Sequence, residues 1–63
     1  MTTGLTHRQR EVSDLLAKGW NNKEIANKLG IGRRTVEDHR AAIYDKLGVR
    51  NVVELTRRIL GVE

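Results

Sequence analysis

Few residues of this 63-residue chain are placed to do covalent chemistry. His7 and His39 stand far apart and there is no cysteine, so neither a disulfide nor a His/Cys metal cage is expected. Glu37 and Asp38 are the paired carboxylates that stand out. They are immediate neighbours on what reads as an exposed helix, which is no arrangement for acid–base catalysis in a pocket. Gly30-Ile31-Gly32 lacks the Lys-Ser/Thr ending of a phosphate loop. What remains is binding chemistry. Twelve Lys and Arg against eight Asp and Glu leave a net charge of +4, with a sequence pI near 10.1. That surplus suits a polyanion, although alone it is equally an ordinary solubility feature. No enzyme activity, cofactor or metal is expected.

Other classes fall away on composition. No apolar run approaches the ~18 residues of a membrane span, and no basic start followed by an apolar stretch marks a signal peptide. One Trp and one Tyr cannot build the aromatic platforms that stack unpaired bases, which counts against single-strand and RNA binding. The length allows one small domain, and a chain of ~60 residues buries only about 60% of its unfolded surface. Aliphatic helix packing, aided by a partner, must hold it together. The lack of cysteine fits a reducing cytoplasm.

Four helices can be read from the pattern. Residues 1–4 have none and read as a start residue with a stub of linker, leaving 5–63 as the domain. Thr6 caps the first helix, with Gln9 completing a capping box, Val12, Leu15 and Leu16 facing inward and Gly19 as the stop. Trp20 reads as a lid on the core edge. Asn21 with Glu24 starts a short second helix of about two turns, with Ile25, Ala26 and Leu29 inside and Gly30 at its end. Arg33 opens the third and longest helix, whose inner stripe is Val36, Ile43 and Leu47 before Gly48. Asn51 with Glu54 starts the fourth, which turns Leu55 and Ile59 inward. No segment alternates with period two, so the fold class is all-α, a four-helix bundle.

Ala26, Gly30 and Val36 then stand at the spacing of a helix-turn-helix. Ala26 must be small where the next helix crosses closely, Gly30 must accept a positive φ, and Val36 anchors the inside of the third helix. A plain helical hairpin would share a small residue and a glycine, but the joint sits among Ile25, Leu29 and Ile31.

Leu5-Thr6, Glu11, Asn22-Lys23-Glu24-Ile25-Ala26, Leu29-Gly30-Ile31, Thr35-Val36-Glu37 with His39, and Lys46-Leu47-Gly48-Val49 resemble the LuxR/FixJ-type DNA-binding domain, the effector domain of many bacterial transcription regulators, including response regulators. The resemblance runs from Leu5 to about Leu60. It implies a third helix lying in the major groove of double-stranded DNA and a fourth that forms a homodimer contact. Glu37, Asp38 and Ala41 match the family's base-facing positions. Helical geometry agrees: with Val36 at 0°, Arg34 falls at about 160°, Ala41 at about 140°, Asp38 at about 200° and Glu37 at about 100°.

In this reading Glu37, or Asp38 in the same way, can accept from a cytosine amino group, Ala41 allows close approach or touches a thymine methyl, and Arg34 reaches phosphate or a guanine. Asp38 can instead repel phosphate. Arg33, Thr35, Arg40 and Lys46, with Asn22 and Lys23 from the preceding helix, are candidate phosphate contacts, each equally readable as solvated surface. Three positions depart from the family: His7 stands where many members have Pro, Gly32 replaces a Ser or Thr cap, and Asp38 replaces a common apolar residue. His39 matches but is given no catalytic role.

On the fourth helix, Val52 and Ile59 fall within about 60° of Leu55, while Val53 and Leu60 lie near 140–160°. The first stripe is expected to close the core. Val53, Thr56, Arg57 and Leu60 are the candidate dimer surface, suited to paired half-sites. The resemblance also implies a regulatory receiver or ligand-binding domain before this one, and RNA polymerase is a further candidate partner. Two alternatives stay open: a small helical module binding a protein through the last helix, and a sigma-factor-like helix-turn-helix docking on RNA polymerase.

Overall fold

Three of the four helix starts carry their own hydrogen-bonding instruction, and the computed structural model, which describes residues 4–61, follows them. The helices are α1 (His7–Ala17), α2 (Asn22–Leu29), α3 (Arg33–Leu47) and α4 (Val52–Leu60), with no strand among the described residues. Thr6 and Gln9 form a reciprocal box, each side chain bonding the other's backbone N–H at 3.1 Å. Asn21 and Glu24 repeat it at 2.9 and 2.8 Å. At α4 the box is modified. Asn51 accepts from the Glu54 N–H, but the Glu54 carboxylate reaches one residue further back, to the Arg50 N–H at 2.9 Å.

The helix ends are equally regular. Gly30 and Gly48 both lie in the left-handed region, at φ 69° and 66°. After each such turn the next residue donates back across it, Ile31 to the Ala26 carbonyl and Val49 to that of Tyr44. Trp20 does the same to Leu15 past Gly19. These bonds satisfy carbonyls that a helix end would leave open, and they fold an apolar side chain back onto the core. Trp20 and Ile31 accordingly pack against it partly buried, and Val49 is 8% exposed.

The core is one aliphatic cluster to which all four helices contribute: Val12, Leu15 and Leu16 from α1, Ile25 and Ala26 from α2, Val36, Ile43 and Leu47 from α3, and Leu55 from α4. Ser13 is also fully buried. Its hydroxyl donates to the Arg10 carbonyl at 2.9 Å, so the polar group is satisfied within its own helix.

One sequence expectation is corrected. Val52 does not close the core with Leu55 and Ile59. It is 40% exposed, beside Val53 and Leu60. Val52 is the first residue of α4, and α4 packs chiefly on α1 and only lightly on α3, so its first side chain stays open while Leu55, three residues on, is buried. The two expected stripes are therefore one broad apolar arc, buried at Leu55 and open from Val52 onward. Of the expected linker stub only Gly4 is described; Met1–Thr3, and Val62 and Glu63 of the expected domain, lie outside the described residues.

Candidate nucleic-acid interface

The joint between α2 and α3 is only Gly30, Ile31 and Gly32 long. Gly30 turns it with a positive φ, and Ala26 and Val36, at 5% and 0% exposure, belong to the shared core beneath. This short turn brings the N-termini of two helices to one cleft, lined by Asn21, Asn22, Lys23, Arg33, Arg34 and Glu37. Five of the residues named from sequence as DNA contacts thus meet at one place, although they come from two helices.

The start of α3 differs chemically from the other three. Gly32 sits at the cap position in extended backbone, φ −73° and ψ 153°, and offers no side chain to the first turn. The helix nevertheless runs for 15 residues, in keeping with the small penalty of a glycine cap. Its first N–H groups carry no side-chain acceptor, and Arg33 and Arg34 stand directly beside them. A free helix N-terminus with adjoining cations is favourable for an anion such as phosphate.

Along α3, Arg34, Asp38 and Ala41 are exposed opposite the buried Val36, Ile43 and Leu47, and Glu37 is exposed on the flank. Arg34 is not a bare cation: its Nε donates to Asp38 Oδ1 at 3.2 Å. Lys23 and Arg33 are exposed at the cleft, and Thr35 is exposed on α3. Asn22 is half-buried at the cleft, and its Oδ1 is buried with no hydrogen-bond partner among the described residues.

Three candidate phosphate contacts do not line this cleft: Thr35, Arg40 and Lys46. Arg40 is half-buried, with its guanidinium 5.9 Å from the centroid of the Tyr44 ring. Lys46, in the last turn of α3, donates from Nζ to the Gly4 carbonyl at 2.8 Å and to Gln9 Oε1 at 2.9 Å. It fastens the start of α1 to the end of α3. Its sequence position suggests a phosphate contact or a solvated charge, and no helical periodicity signals a partner from so distant a segment.

On α4, Val53 and Leu60 are 58% and 66% exposed. Arg57 is exposed beside them, and Thr56 is half-buried with its hydroxyl donating to the Val52 carbonyl at 2.7 Å. Among the described residues no group of His, Asp and Glu is gathered to hold a metal ion, and no helix is long and apolar enough to cross a membrane.

Comparison with known proteins agrees with this arrangement. Residues 3–59 match the family described as bacterial regulatory proteins, luxR family. The transcriptional regulatory protein UhpA of Escherichia coli (strain K12) is 53% identical over 55 residues, 87% of this chain and 28% of the relative. The tetrathionate response regulatory protein TtrR of Salmonella typhimurium is 46% identical over 54 residues, 86% of this chain and 26% of its own length. The oxygen regulatory protein NreC of Staphylococcus aureus (strain JH9) is 45% identical over 56 residues, 89% of this chain and 26% of that protein. The chain spans about a quarter of the length of these relatives. The matched segment contains the whole helix-turn-helix, and the chain belongs to the luxR family of bacterial regulatory proteins.

Proposed function

We infer that this chain is a sequence-specific, double-stranded DNA-binding domain that regulates transcription, with α3 in the major groove and two copies bound to paired half-sites. The observation that carries the reading is the cleft where Asn22 and Lys23 of α2 meet Arg33 and Arg34 of α3, adjoining the exposed face of that helix. Phosphate contacts orient a protein on the duplex, and base contacts select the sequence. The cleft supplies the first and the face of Arg34, Glu37, Asp38 and Ala41 the second. A major groove about 12 Å wide admits one helix, whose outward side chains alone reach base edges.

Homodimerisation is assigned to α4, where Val53, Thr56, Arg57 and Leu60 form the surface, widened by Val52. A two-fold dimer would set two α3 helices on half-sites one helical turn or a multiple apart. The relatives' names as response regulatory proteins, and the small share of their length matched here, support placing the domain in a longer, cytoplasmic regulator that carries its own regulatory domain.

The test is selection of bound duplexes from a random pool at physiological salt, with sedimentation of the selected complex. Enrichment of two-fold-related half-sites and two copies per duplex are expected. Absence of binding even at low salt would overturn the reading. The exposed Val52, Val53 and Leu60 would then favour a module that binds protein through α4, and such a contact would change little with salt.

A further inference from the structure

Arg34 and Asp38 stand one helical turn apart on the outward face of α3, joined by the 3.2 Å bond from Arg34 Nε to Asp38 Oδ1. The side chains are 85% and 68% exposed, and a pair so open to water adds little to stability. Its consequence is geometric. A guanidinium presents five N–H donors in a rigid plane. Held at Nε, it keeps the opposite edge, formed by its two terminal nitrogens, free. Among the described residues neither of those nitrogens makes a hydrogen bond. The arginines of α1 that pair with acids do so more loosely, Arg8 with Glu11 and Arg10 with Asp14 both at 3.6 Å. Further along the same face Ala41 adds only a methyl group, so its side chain leaves the pair accessible from the groove.

Bidentate recognition of guanine O6 and N7 needs two N–H groups held in one plane. An unrestrained arginine loses rotamer freedom when it docks, and a buttressed one loses less. An acid on a DNA-facing helix also opposes every nearby phosphate, so it lowers binding to any duplex and favours the register where its arginine finds a guanine.

We propose that Asp38 is a positioning residue that holds Arg34 for guanine readout, while its second carboxylate oxygen accepts from an amino group on a neighbouring base. This rests on α3 being the helix in the major groove. Arg34 is then the reader and Asp38 acts through it.

The experiment is selection from a random duplex pool at physiological salt for the wild type, Arg34→Ala, Asp38→Ala and Asp38→Asn, followed by titration of the selected duplex and a scrambled one. Circular dichroism melting checks that each variant folds. The wild type should enrich guanine at one position of each half-site, and Arg34→Ala should lose that preference. Asp38→Ala should bind the scrambled duplex more tightly and lose about tenfold in discrimination at the same guanine. Asp38→Asn should recover part of it, because its amide oxygen still accepts from Nε. If Asp38→Ala gains affinity for all sequences and keeps the guanine preference, Asp38 merely repels phosphate and the positioning role is overturned. It is equally overturned if the wild type enriches a site in which no guanine depends on Arg34. A wild type that enriches no site overturns the major-groove reading, and this role with it.

Discussion

Cations of similar chemistry divide by what already occupies them. Lys23 and Arg33 are exposed at the cleft, whereas the Lys46 ammonium is bonded to Gly4 and Gln9. Replacing Lys23 or Arg33 by Ala should weaken binding to all duplexes and reduce the slope of log K against log salt by about 0.9 for each phosphate no longer neutralised. Lys46→Ala should leave that slope unchanged and lower stability by about 1 kcal/mol or less, as two exposed hydrogen bonds disappear. Titration of one duplex at several salt concentrations, beside thermal melting, separates the two kinds of lysine. An altered slope for Lys46→Ala would show that the latch opens on DNA. Gly32 poses the complementary case. Its backbone is already that of a helix cap, and a Cβ there would lie 3.9 Å from Thr35 Oγ1, so a side chain fits. Gly32→Ser should raise stability by a few tenths of a kcal/mol, read as a higher melting temperature. Neither Lys46 nor the buried Ser13 could be placed from sequence. Lys46 is fixed by partners 42 and 37 positions away, and Ser13 looks polar by type while its hydroxyl is satisfied by its own helix.

At the level of elements, local chemistry dominates, which is why helix starts and stops are legible in the sequence. Thr6, Asn21 and Asn51 each cap through the third residue onward, and such signals act within one turn without reference to the rest of the fold. The spacing of Ala26, Gly30 and Val36 carries the helix-turn-helix for the same reason. Gly30 is the sharpest case. Among the described residues no atom beyond its chain neighbours lies within 4 Å of a Cβ built there, so the penalty arises from its φ of 69° and not from crowding. Gly30→Val should therefore be strongly destabilising, Gly30→Ala should cost about 1–2 kcal/mol, and Gly30→Asn less than Ala, since Asn tolerates the left-handed region. Equal melting temperatures across this series would refute the turn as the constraint. Val52 shows the limit of periodicity, which orients a side chain about its own helix but does not say where the neighbouring helix stops. The open arc it shares with Val53 and Leu60 bears on the proposed homodimer. Leu60→Lys should keep the monomer folded, because the native side chain is already 66% exposed. It should reduce sedimentation of the two-copy DNA complex in favour of single occupancy. Unchanged stoichiometry would remove α4 from the dimer contact.

For the molecule as a whole, size sets how fold and function are coupled. The described chain has a radius of gyration of 10.6 Å, and its core lies in a single aliphatic cluster. A domain of 63 residues has a stability of about 3–9 kcal/mol at the usual range per residue. Ile43 is fully buried near the middle of α3, on the side away from Arg34, Asp38 and Ala41. Ile43→Ala should cost about 2–5 kcal/mol through reduced burial and the cavity left behind, a large share of that total, and lower the melting temperature by about 10 °C or more. The exposed face with Arg34, Glu37, Asp38 and Ala41 keeps every side chain in this variant. If binding requires the folded state, a duplex carrying the selected site at a hundredfold excess over its Kd should return about 2.7 kcal/mol of stability by mass action. A scrambled duplex at the same concentration and physiological salt should return much less. Melting Ile43→Ala alone, with the selected duplex and with the scrambled one checks this directly. Equal rescue by both duplexes would mean that the charge of the cleft acts without base selection. Rescue by neither would mean that DNA does not bind the folded domain, and the inward and outward faces of α3 would then have no functional connection.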